Sequence, residues 1–268
     1  MKNKWDCHAH IFGPYDQYPL ATGRSYTPEE ATLEAYIDLL DSLDIQNGVL
    51  VHPSAYGVDH GLLFDCLEKK KSLRGVMVIK PSKDLKLEAL HAKGIRAARF
   101  SARSGSNTNF FGSADFKDYQ VLCGDLSSNG LHAELWTDCK MLPSLESALM
   151  LSPVDTVIDH MGGFDVNLGL EDPGFQCLLR LLDSGKIWLK LCAYRNLLQV
   201  QDVDLGQSFH EKLIQTNPDR LVWGTDWPHL NIHPPPQTRA LLDLLLRWTP
   251  DKGIVERILT INPTLLYQ

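Results

Sequence analysis

Short runs of apolar residues recur along the chain, separated by segments whose apolar positions fall three and four residues apart. The runs are Trp5–Phe12, Gly48–Pro53, Gly75–Lys80, Ile95–Phe100, His132–Thr137, Val154–His160, Ile187–Ala193 and Leu221–Asp226. Several are nearly continuous in Val, Ile, Leu and Ala, the pattern of strands covered on both faces. Between them lie Thr27–Leu43, where Leu33, Tyr36, Ile37 and Leu40 repeat with helical spacing, and the similar stretches Phe175–Leu182 and Thr238–Trp248. Thr27-Pro28-Glu29-Glu30 offers a capping hydroxyl, a first-turn proline and early acids, which places that helix start at Thr27. Eight strands alternating with helices predict an α/β fold, a (β/α)8 TIM-type barrel, regular or distorted, with a doubly wound open sheet as the alternative. The alternation spans residues 1–268, so a single domain is expected. Ser101–Ala114 is the one long polar, glycine-rich loop.

In such a barrel, reactive groups gather at the C-terminal strand ends. His8 and His10 lie near the end of the first run, His52 ends the second, Arg99 the fourth, His160 the sixth and Asp226 the eighth, while Arg195 follows the seventh. His132 opens its run and is read as structural. Alternation along a strand sends His8 and His10 to one side, into the barrel mouth. With His160 and Asp226 they form a constellation that can share one divalent ion or surround a polarised carbonyl oxygen. The opposing reading makes each histidine a satisfied core residue and Asp226 a helix cap. Arg99, Arg195 and Arg103 carry the planar fork that grips carboxylates, which predicts an anionic substrate unless each pairs with a local acid.

Composition narrows the field. The chain has 268 residues, 44% of them hydrophobic, with 26 basic and 33 acidic side chains and a formal charge of −7. That excludes intrinsic disorder and lacks the basic footprint of a nucleic-acid or anionic-membrane binder. No apolar run approaches the ~20 residues needed to span a bilayer. No signal-peptide core follows Met1, so a cytoplasmic protein is expected. Cys7, Cys66, Cys123, Cys139, Cys177 and Cys192 form no Cys-x-x-Cys pair and read as reduced, mostly buried thiols. Phosphate-loop, dinucleotide and nucleophile-elbow motifs are missing, which argues against nucleotide chemistry and serine hydrolysis.

Asp6-Cys7-His8-Ala9-His10-Ile11-Phe12-Gly13-Pro14, Tyr26-Thr27-Pro28, Gly94-Ile95-Arg96, Ile158-Asp159-His160-Met161-Gly162, Trp223–His229 and Asn262-Pro263 resemble the amidohydrolase superfamily. The pattern is most similar to the branch containing 2-pyrone-4,6-dicarboxylate lactonase and covers nearly the whole chain. This resemblance implies a barrel that hydrolyses a cyclic ester bearing carboxylates. Asp226 would be the general base toward water, and His8, His10 and His160 would donate hydrogen bonds to the lactone carbonyl. Arg99 and Arg195 would bind substrate carboxylates. Arg103 is displaced from the family's second loop arginine, Tyr26, Ser54 and Tyr56 match further substrate-side positions, and Trp136 stands in place of a tyrosine. No bridging Lys or Glu ends the fourth strand, so a two-metal site is not expected. A single zinc-like ion on His8, His10, His160 and Asp226 is optional, and no cofactor is required. Competing readings are a sugar-acid lactone hydrolase or lactone isomerase, a metal-dependent decarboxylase, and a ligand-binding barrel without catalysis.

Overall fold

The computed structural model describes residues 1–83, 85–105, 110–197 and 202–268. Each apolar run yields a strand: Trp5–Ala9 (β1), Asn47–Val51 (β2), Leu73–Met77 (β3), Ile95–Ala102 (β4), His132–Thr137 (β5), Thr156–Ile158 (β6), Ile187–Leu191 (β7) and Leu221–Trp223 (β8). They pair in parallel in chain order, which gives the barrel and excludes the reordered strands of a doubly wound sheet. The polar segment begins later than expected, because Ser101 and Ala102 still belong to β4, and its residues 106–109 lie outside the described residues.

The seam between β8 and β1 is closed by the chain just beyond β8. Asp226 N–H donates to His8 O and His10 N–H to Trp227 O, each at 2.8 Å. Close approach here requires Gly224, where a Cβ would lie 2.7 Å from His8 Cβ. Helices Leu33–Leu43 (α1), Gly61–Lys69 (α2), Phe116–Ser128 (α3), Leu142–Leu151 (α4), Pro173–Asp183 (α5), Asp202–Thr216 (α6) and Thr238–Trp248 (α7) alternate with the strands. Among the described residues, β3 and β4 are joined by a 3-10 turn, His91–Lys93, and no α-helix. That gap is the barrel's distortion.

Helix α1 starts later than its sequence pattern suggests. Thr32 caps it by accepting from Ala35 N–H. Ala31 exchanges backbone hydrogen bonds with Phe12, each 2.8 Å, and this bridge holds the preceding residues out of the helix despite the good capping sequence at Thr27.

Alternate side chains fill the barrel in layers. Trp5, Val49, Val76, Ala97, Val157, Trp188 and Val222 pack with Tyr267 as an apolar floor. Two residues further along β5, β6 and β7 than His132, Val157 and Trp188 lie Glu134, Asp159 and Lys190, all fully buried. In β1 the register slips between Asp6 and Ala9. This bulge turns two neighbours inward, Cys7 into the apolar cluster and His8 against Lys190.

Four histidines outside the mouth cluster make the fold acid-sensitive. Burial pulls His52 and His132 down to about 3, and His210 and His229 down to about 4. In the unfolded chain each takes a proton near pH 6.5 that the folded protein refuses, so stability is full above that pH and falls between about 6.5 and 4. Asp6, pushed up by burial to about 6, and Glu134, also raised by burial, act in the opposite sense and offset part of the loss. Thermal melts from pH 7.5 to pH 4.5 should show a steep loss of Tm below pH 6. A flat profile would contradict the neutral burial of these rings.

Candidate active site

Strands β6 and β8 end just before two residues in left-handed backbone, His160 at φ 51° and Asp226 at φ 56°. This is why both strands are shorter than their apolar runs. Such conformations cost a non-glycine residue about 1–3 kcal/mol and concentrate at functional sites. They bring His160 and Asp226 to the rings of His8 and His10, with the His8 and His160 centroids 4.9 Å apart.

The two oxygens of Asp226 differ. Oδ2 accepts from the Tyr194 hydroxyl at 2.6 Å and from Arg195 Nε at 2.5 Å. Oδ1 is buried without a hydrogen-bond partner, 3.4 Å from His10 Nε2 and 3.6 Å from His8 Nε2. Burial pushes this carboxyl up, but its neighbours, the Arg195 guanidinium among them, outweigh it and hold Asp226 well below the usual carboxylate range. Burial lowers His8 well below the ordinary imidazole value and His160 to about 4, so both are neutral at pH 7.

The ring protons follow from their partners. His10 Nδ1 donates to Val51 O at 2.7 Å, which leaves Nε2 as the acceptor facing the cluster. Facing it at 3.3 Å is His8 Nε2, which supplies the hydrogen, and Lys190 Nζ meets His8 Nδ1 at 3.2 Å as donor. Lys190 also contacts Glu134 at 2.6 Å and Asp159 at 3.3 Å. Burial opposes its charge, but Asp159 and Glu134 offset it and raise its pKa. Tyr267 donates to the other Glu134 oxygen at 2.8 Å, which ties the barrel floor to the histidines. Arg99 completes the network on Asp159 Oδ2 at 2.9–3.0 Å.

A cavity of about 460 Å³ opens above this cluster, lined by His10, Tyr26, His52, Ser54, Arg99, Arg103, Trp136, His160, Arg195 and Asp226 among others. Nine of the ten expected site residues therefore meet at one place, counting His8 beneath His10. His8 is fully buried and does not line the cavity. The tenth, Tyr56, is set apart: its hydroxyl accepts from Gly13 N–H at 2.8 Å and its ring packs with Phe12, Ala31 and Ala55.

The arginines divide unexpectedly. Arg99 and Arg195 line the cavity while ion-paired to Asp159 and Asp226. Arg103 has no carboxylate partner among the described residues and stacks over Trp136 at 4.5 Å, with Arg99 also over that ring at 5.3 Å.

Three groups have ligand atoms all within 4.8 Å of one another and could hold a metal ion: His8, His10 and Asp226; His8, Asp159 and His160; His160, Cys192 and Asp226. Sequence reasoning missed Glu134, Lys190 and Tyr194 and treated Asp159 as motif context. The available signal was a charge inside an otherwise apolar strand, Ala133-Glu134-Leu135 and Leu189-Lys190-Leu191. All six cysteines are free, and every one but Cys123 is buried.

The amidohydrolase family profile matches residues 5–268. A 4-sulfomuconolactone hydrolase of Hydrogenophaga intermedia is 31% identical over 98% of this chain and 88% of its own length. A 2-pyrone-4,6-dicarboxylate hydrolase of Comamonas testosteroni is 29% identical over 98% of this chain and 89% of its own. The crystal structure of an Acinetobacter baumannii protein ascribed to 2-pyrone-4,6-dicarboxylic acid hydrolysis, with citric acid bound, superposes with a TM-score of 0.84 at 28% identity, covering 99% of both chains.

Proposed function

The chain belongs to the amidohydrolase family, and from that premise we propose that it opens an anionic lactone, a ring ester bearing carboxylates, by attack of water on the ester carbonyl. The observation that carries this reading is the half-satisfied carboxylate of Asp226. One oxygen is clamped by Tyr194 and Arg195, and the other is free at the cavity floor, where a water can reach it. Asp226 takes the proton as the water oxygen bonds to the carbonyl carbon. His160, neutral with one N–H to offer, donates to the oxygen on which negative charge develops, together with the cavity arginines. Collapse breaks the ring C–O bond, and protonated Asp226 returns its proton to the leaving oxygen.

His8 and His10 take different parts from the direct carbonyl donation expected of them. Their protons are spent within the chain Lys190–His8–His10–Val51, so they orient the water and Asp226. A divalent ion would be held by His160 Nδ1 and Asp226 Oδ1, the two unpaired atoms here, within the grouping of His160, Cys192 and Asp226 rather than by His8. When bound it would polarise the carbonyl as a Lewis acid.

Of the three cavity arginines, Arg103 is the one without a carboxylate partner among the described residues, and it is offered to a substrate anion. Proton release should be rapid with dicarboxylate or sulfonated lactones and slow with neutral lactones of equal ring size. Arg103→Met should raise KM about 10–100-fold for the anionic ring with kcat little changed, the worth of one charge-assisted contact. Equal turnover of neutral and anionic rings would refute the anion site.

A further inference from the structure

Cys192 follows β7, and its thiol has no part in the reaction above. Its Sγ, a His160 nitrogen and an Asp226 carboxylate oxygen lie within 4.8 Å of one another, and all three residues are buried. Two of these neighbours carry atoms that the fold leaves unpaired, His160 Nδ1 and Asp226 Oδ1. Buried polar atoms are seldom left so, and a pair beside a thiol points to a missing partner with positive charge. We infer that this buried cluster binds a soft divalent cation through Cys192 Sγ, His160 and Asp226, with the thiolate as a true ligand.

The other two groupings are poorer. His8 has Lys190 Nζ against Nδ1 and gives its Nε2 hydrogen to His10, so no lone pair is left for a cation. Asp159 is already held by Arg99 and Lys190. Ligand bonds of about 2.0–2.3 Å in a tetrahedral site put neighbouring donor atoms about 3.3–3.6 Å apart, inside the 4.8 Å limit within which the three atoms already lie.

Charge points the same way. The carboxylates of Glu134, Asp159 and Asp226 face the cations Lys190, Arg99 and Arg195, three against three. A dication entering this balanced cluster needs new negative charge. Cys192 supplies it: the S–H bond is exchanged for a sulfur–metal bond, the proton leaves to solvent, and no electron is transferred. Without the ion, burial pushes the thiol's pKa well up and keeps it protonated and inert. Thiolate ligation selects zinc-like ions over magnesium or calcium. This inference shares Asp226 and His160 with the proposed reaction but does not rest on it, since uptake of the ion is read without any substrate.

Cobalt(II) chloride added to the full chain, after treatment with a chelator, tests it. One equivalent should bind and give an intense near-ultraviolet thiolate-to-cobalt charge-transfer band beside weaker visible bands. Cys192→Ser should lose the near-ultraviolet band and bind cobalt at least about tenfold more weakly, the lower limit seen even for lost outer-shell partners. Visible bands alone in the unmodified protein, no stoichiometric uptake, or a near-ultraviolet band that survives Cys192→Ser would each overturn the assignment. Should Cys192→Ser fail to fold, X-ray absorption of the cobalt-loaded parent protein decides: one sulfur in the coordination shell is expected, and none would overturn it.

Discussion

Asp226→Asn is expected to leave the barrel folded and to lower kcat about a thousandfold. The amide can keep its oxygen toward Tyr194 and Arg195, so the hydrogen bonds on that side of the group survive. What the amide cannot do is take a proton from water, and a positioned general base is worth roughly 10²–10⁴-fold. Proton-release assays with an anionic lactone, beside thermal melts of both proteins, separate the two effects. A variant with the parent's melting behaviour and kcat within about tenfold of it would remove Asp226 from the role of base.

The largest effect on stability is expected far from solvent, at Lys190. Its ammonium is the shared partner of Glu134, Asp159 and His8, all fully buried. Lys190→Met leaves two buried carboxylates short of a cation, and removing one member of such a pair costs about 3–5 kcal/mol. In a barrel of this size that lowers Tm by on the order of 10 °C. The double variant Lys190→Met/Glu134→Gln should recover part of the loss, because one orphaned charge goes and Asp159 keeps Arg99. A single variant that melts within about 2 °C of the parent would show that the network carries no net stabilisation.

Most of the architecture was legible in the residues because burial on both faces leaves so plain a mark. Strands such as Gly75–Met77 and Leu221–Trp223 had to be apolar throughout, whatever their neighbours. The constellation of His8, His10, His160 and Asp226 was legible for a related reason, since strand ends in a barrel share one rim. Details set by tertiary contacts were not. The cap at Thr27 is sound in isolation, yet Ala31 pairs with Phe12 and the helix waits until Thr32.

Residue partners were equally hidden. Nothing in the local pattern says that Arg99 and Arg195 meet Asp159 and Asp226, or that Arg103, of the three cavity arginines, has no acid partner among the described residues. Nor could spacing reveal the bulge in β1, which turns both Cys7 and His8 inward against strict alternation. Tyr56 was misplaced because its motif lies beside the mouth in sequence while its hydroxyl is drawn back to Gly13.

The most direct measurement follows the oxygen atom. One turnover of an anionic lactone in water labelled with heavy oxygen, read by mass spectrometry of the product, reports which bond the water makes. Attack at the ester carbonyl under Asp226 places the label in the newly formed carboxylate, one atom per ring opened. Label in the released hydroxyl, or a rearranged lactone carrying none, would contradict it.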